Sequence, residues 1–123
     1  MEIKSMFVIP NEVVESEVFK NYKVTTKLVY LYLLKVTNQS ADKEGWIHVQ
    51  SVALARLSGI GVDPIRRAKQ QLLEDGYIEV KDCCEQETND PRRCSWIRVK
   101  DWQSILKALD QAEEKQLKGG YFA

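Results

Sequence analysis

Histidine is almost missing from this chain: His48 stands alone among 123 residues. That excludes the paired-histidine motifs of zinc hydrolases and leaves a Cys–His nucleophile without supporting spacing. A phosphate-cradling G-x-x-x-x-G-K loop and a nucleophile elbow are also missing, so neither enzymatic activity nor a cofactor is expected. There is no apolar run of about 18 residues, and the amphipathic start lacks the basic and apolar regions of a secretion signal. No membrane partner is therefore expected. Cysteine is scarce: Cys83, Cys84 and Cys94 form an odd set with two adjacent. They make a poor disulfide framework and fit a reducing compartment, hence a cytoplasmic protein. With His48 they could supply four zinc ligands. Neighbours on a strand point to opposite faces, however, and His48 belongs to another strand; the expectation is an ordinary reduced segment and no metal.

Net charge is also lacking, with 18 basic and 18 acidic side chains. Whole-molecule attraction to a polyanion is excluded, and any such role needs a local basic face. The charges segregate. Glu12, Glu15 and Glu17 crowd the start, and Asp110, Glu113 and Glu114 lie near the end. In the middle, across residues 56–69, Arg56, Arg66, Arg67 and Lys69 answer Asp63 alone, a local excess of three positive charges.

What is present suits one domain, with 44% hydrophobic residues and a core that needs no staples. "FVIPNEVVES" reads as an extended entry and a turn of helix from Asn11. "TTKLVYLYLLKVTN" is apolar all round from Leu28 to Leu34, so a buried strand and a buried helix both fit. Its length, its polar exit and Thr25 as an N-cap favour the helix. Trp46–Val49 reads as a short strand. "SVALARLSG" reads as a short helix with Val52 and Ala55 inward, Leu54 beside them, and a turn at Gly59. Asp63 as N-cap and Pro64 at the first helical position open the next helix, and Gly76 closes it. Ile65, Ala68 and Leu72 form its buried stripe. "YIEVK" and "CSWIRVK" alternate as strands around the polar segment "DCCEQETNDPRR". A final helix follows Asp101, with Trp102, Ile105, Leu106, Leu109 and Ala112 in one stripe and Gly119-Gly120 at its end.

Two helices joined by a glycine turn and followed by a hairpin make a helix-turn-helix with a wing. "FVIPNEVV…TTKLVYLYLLKVTN…VALARLSGIGVDPIRRAKQQLLEDGYIEV" resembles the winged helix-turn-helix of plasmid and phage replication initiators and related phage-type regulators. The resemblance rests on Pro10, Asn11, Glu12, Lys27, Leu28, Tyr30, Leu54, Ala55, Gly59, Leu72, Gly76 and Ile78, across roughly residues 6–100. Gln50 departs from the family's Ser cap, Gly61 adds a second glycine to the turn, and the three cysteines lie outside the family pattern. The resemblance implies a mainly α fold with a small antiparallel β-hairpin wing, an α+β winged helix-turn-helix. It also implies sequence-dependent binding of double-stranded DNA by a transcription- or replication-associated protein.

On a wheel of about 100° per residue, Arg66, Arg67, Gln70 and Gln71 fall away from the Ile65–Ala68–Leu72 stripe. Arg pairs with guanine and Gln with adenine in the major groove, each giving roughly 1–3 kcal/mol of discrimination. Residues early in a recognition helix lie nearest the bases, which assigns readout to Arg66, Arg67 and Gln70. Arg56, Lys69 and Gln71 are assigned to phosphates, and Arg92 and Arg93 in the wing to backbone or minor groove. The domain is expected over 1–100, with 101–123 a C-terminal helix and short tail. Trp102, Ile105, Leu109 and Ala112 space like a seam for a second copy, as a two-fold operator requires; packing onto the chain's own domain is the other reading. The rival functional reading is a winged helix for protein–protein interaction, in which neutral net charge is the ordinary state.

Overall fold

The computed structural model describes residues 8–81 and 96–117, the side chains of Leu109 and of residues 112–117 excepted. Its elements in chain order are α1 (Asn11–Val14), α2 (Glu17–Lys20), α3 (Val24–Ser40), β1 (Trp46–His48), α4 (Ser51–Ser58), α5 (Val62–Glu74), β2 (Ile78–Lys81), β3 (Trp96–Val99) and α6 (Trp102–Leu117). The segment that sequence left open between strand and helix is helix α3. It turns Thr26, Val29, Tyr30, Leu33, Leu34 and Thr37 into the interior. The buried Thr37 hydroxyl donates to the Leu33 carbonyl at 2.8 Å, so no polar group is left unpaired at that point. The start differs from expectation. Lys23 holds the extended N-cap position, and Thr25 lies within the first turn.

The short helix α2 was not foreseen. Ser16 begins it, its Oγ accepting from the Phe19 amide at 3.1 Å. This seats Phe19 in an edge-to-face group with Tyr22, Tyr30 and Tyr77, at centroid separations of 5.6 to 6.5 Å. Burial, with the Tyr77 and Asp101 charges, pushes the Tyr30 hydroxyl up to about 12.

The sheet is wider than the expected hairpin. β2 and β3 pair antiparallel, with Ile78 opposite Val99 and Val80 opposite Ile97. β1 adds to the other side of β3, with Ile47 opposite Ile97, giving the order β1-β3-β2. Strand alternation then sends Ile47, Ile78, Ile97 and Val99 inward, all at 2% exposure or less. They close the core with Val29, Leu33 and Leu34 of α3, Leu54 of α4, and Ile65 and Leu72 of α5. A helix, a strand, two helices across a tight turn and an antiparallel pair, with a three-stranded sheet behind, is the α+β winged-helix architecture.

Helix α6 leaves β3 through Asp101, whose φ of 60° is left-handed. Its first turns fold back. Gly45, at φ 89°, lies so close to the Trp102 ring that an added methyl would overlap it, and Ile105 is 4% exposed within the core. The assignment of Trp102 and Ile105 to a dimer seam is therefore corrected: both are used in packing within one chain. Leu109 and Ala112, the other seam residues, lie outside the described side chains. Among the described residues no helix is long and apolar enough to cross a membrane.

Candidate nucleic-acid interface

The site assembles from α4, the turn at Gly59 and α5. α4 buries Ser51 and Leu54 and packs Ala55 partly against the core, while Val52 is 43% exposed, so of the residues expected inward Val52 alone faces out. Contact with α5 fixes that phase. Gly59 ends α4 in the left-handed region, at φ 76°, its amide donating to the Ala55 carbonyl at 2.9 Å. Glycine takes that conformation without the Cβ penalty. The Ser58 hydroxyl donates to the Leu54 carbonyl and accepts from the Ile60 amide, tightening the same corner.

α5 begins two residues earlier than expected. Gly61 is the extended N-cap and Val62 the first helical residue, which moves Asp63 and Pro64 to the second and third positions. Proline is tolerated there because the first-turn amides lack intrahelical acceptors. The far end is as expected: Gly76, at φ 79°, follows Asp75. Inward go Ile65, Ala68 and Leu72, as their spacing predicted, together with Lys69.

Lys69 is the main correction at the site. Its side chain is 2% exposed, and Nζ donates to Ser51 Oγ at 3.1 Å across the α4–α5 contact. At about 40° from Ile65 on the wheel it belongs to the buried stripe, so it is not presented to a phosphate. The apolar stem packs among the core residues while the ammonium finds a hydroxyl at the start of α4.

The remaining candidates share the outward side of α5, each with a partner on the helix or at its C-cap except Arg67. Arg66 Nη1 lies 3.7 Å from Asp63 Oδ1; its head is partly exposed and its Nε is buried without a hydrogen-bond partner. Gln70 Nε2 donates to Glu74 at 3.1 Å, and Gln71 Nε2 to Asp75 at 2.8 Å. Arg67 is exposed beside a groove of about 720 Å³ between α5 and the start of α3, lined also by Lys23 and Thr25. Arg56 is exposed in the last turn of α4. Arg92, Arg93 and the three cysteines lie outside the described residues.

Sequence reasoning placed these side chains on one face and missed the acids that hold them. Glu74 and Asp75 join Asp63, so the face carries two guanidiniums against three carboxylates. The signal was present in the i+4 spacing of Gln70 to Glu74 and of Gln71 to Asp75. Asp75 is further engaged by the Tyr22 hydroxyl, which donates at 2.5 Å. That bond, with the Gln71 amide, holds the Asp75 carboxyl below its ordinary value. In return, burial first and then Asp75 push the Tyr22 hydroxyl up.

Comparison with known proteins gives the fold an independent footing. A solved structure described as the N-terminal domain of a DNA binding protein superposes with a TM-score of 0.57 at 17% sequence identity. It covers 92% of this chain and 88% of that one. At that identity the likeness is one of fold. No protein-family model and no curated protein sequence matches the chain.

Proposed function

We propose that the chain binds double-stranded DNA in a sequence-dependent way, with α5 as the helix that enters the major groove. The observation that carries this reading is the outward set Arg66, Arg67, Gln70 and Gln71 on a helix that a glycine turn joins to α4. The likeness of fold to a domain from a DNA binding protein supports it. Arg66, Arg67 and Gln70 read base edges, while Gln71 and Arg56 contact phosphates. The acid partners do not forbid this. Exposed pairs of this kind are worth about 0–1 kcal/mol, less than a good bidentate contact to a base. The protein acts by binding, without catalysis, as a regulator or replication-associated factor of phage or plasmid type.

A second reading is favoured by one observation, the excess of carboxylates over guanidiniums on the outward face of α5 and its C-cap. A self-neutralised face suits a protein partner better than a polyanion. Salt titration separates the two. Phosphate neutralisation makes log affinity fall linearly with log salt, by about 0.9 per phosphate. Selection from a random duplex library should yield a preferred site, and Arg66→Ala with Arg67→Ala should abolish that preference in a folded protein. Absence of duplex retardation at low salt would leave the protein–protein reading standing.

A further inference from the structure

The outer face of the sheet carries a second arrangement, independent of α5. β-strand alternation turns Trp46 and His48 of β1, Trp96 and Arg98 of β3, and Glu79 and Lys81 of β2 to the side away from the core. The registers set them in two rows. Trp46, Arg98 and Glu79 lie opposite one another, and so do His48, Trp96 and Lys81. Lys81 Nζ sits between the two indoles, 4.3 Å from the Trp46 centroid and 5.1 Å from that of Trp96. The Arg98 guanidinium lies 4.6 Å over Trp46, held by two bonds to Glu79 Oε2 at 2.9 and 2.5 Å. The imidazole of His48 tilts against Trp96 at 4.8 Å. His48 and Lys81 are exposed and Trp96 partly so.

We infer that this face binds single-stranded nucleic acid, with an unpaired base stacked on Trp96 beside His48 and its phosphates on Lys81 and Arg98. A ring face and cations on one side of the sheet match the two surfaces that an unpaired strand offers, a π-face and a phosphate. A duplex hides its base faces in its own stack and could use only the cations. An acidic peptide would likewise gain nothing from the rings. Its strands contribute two cations, Lys81 and Arg98, and one carboxylate, Glu79, with the Asp42 carboxylate interacting with Lys81 beside them. Lys81 is on a flexible stem, so it can leave the indoles for a phosphate at small cost.

The test uses the full chain and a fluorescently labelled short oligothymidylate at low salt, read by anisotropy. Trp96→Leu should weaken binding roughly tenfold or more, since stacking is worth about 1–3 kcal/mol per base. Trp96→Phe, which keeps a ring, should retain most of the affinity. Lys81→Ala, at an exposed position, should weaken binding and flatten its salt dependence. Arg66→Ala with Arg67→Ala should leave oligothymidylate binding unchanged while removing duplex site preference, so the two interfaces fail separately. The inference is overturned if the chain does not bind the oligonucleotide, or if Trp96→Leu and Lys81→Ala both bind it as well as the parent. It is equally overturned if polyglutamate displaces the probe as well as unlabelled oligothymidylate does.

Discussion

Two polar surfaces of this molecule are built in opposite ways. On α5, Arg66, Gln70 and Gln71 each lean on an acid three or four residues further along or back on the same chain. On the sheet, Trp46, Trp96, Lys81, Arg98 and Glu79 come from three strands, and the contacts that join them to one another run between strands. Pairs within one helix add only about 0.2–0.5 kcal/mol each. Cross-strand groups exist only once the fold does, and so they help to hold it. Partners on the helix face exchange at little cost to the fold, whereas on the sheet Lys81 can move while the Trp46–Arg98–Glu79 row helps to hold the strands.

The largest expected effect breaks the sheet side. Trp46 is 8% exposed under Lys81 and Arg98, and Trp46→Ala should cost about 3–5 kcal/mol in denaturant unfolding, as large aromatic deletions do. A loss near zero would mean that the face contributes nothing to the fold. Next comes the ion pair. A double-mutant cycle on Glu79→Gln and Arg98→Met should return a coupling of about 1 kcal/mol, the upper end for a partly exposed pair. The equivalent cycle on Asp63 and Arg66 should return less, because that contact is longer and more exposed.

Smaller still in stability, yet more telling for α5, are Asp63→Asn and Glu74→Gln. Each should change unfolding by no more than about 0.5 kcal/mol. On the proposed duplex reading each should raise DNA affinity severalfold in the same titration, by removing a competing carboxylate near the phosphates. A fall in affinity would instead favour a partner that uses the acids. The smallest effect is at Asp75. Its carboxyl is held below the ordinary 3.8, so its contribution is present above that pH and fades as pH falls through the lower folded value. The stability gap between the parent and Asp75→Asn should therefore close on acidification and stay constant from pH 5 to 7, which unfolding curves across that range would measure.

These contrasts also explain what could be read from sequence. The Ile65–Ala68–Leu72 stripe and the Gly76 stop were legible because helix period and termination depend on neighbours within a few residues. The alternation of β2 and β3 was legible for the same reason. The inward turn of Lys69 was not, since an ammonium is buried only where a distant residue receives it, and Ser51 lies on another helix. The phase of α4 depends on α5 in the same way. The grid on the sheet required knowing that β1 joins β3, a pairing that brings together Trp46 and Arg98 from far along the chain. Trp102 and Ile105 had a periodic spacing that fits a partner copy or the chain's own core equally well, and the approach of Gly45 to Trp102 and the burial of Ile105 decide between them.

The interred ammonium between α4 and α5 also limits how this protein can be re-engineered. Grafting a foreign helix over residues 62–74 would place a different side chain opposite Ser51, whose hydroxyl would lose its cation; moving α5 elsewhere would strand that cation in an oily recess. The two helices therefore travel as a pair, and a library that varies only Arg66, Arg67, Gln70 and Gln71 leaves that bond untouched.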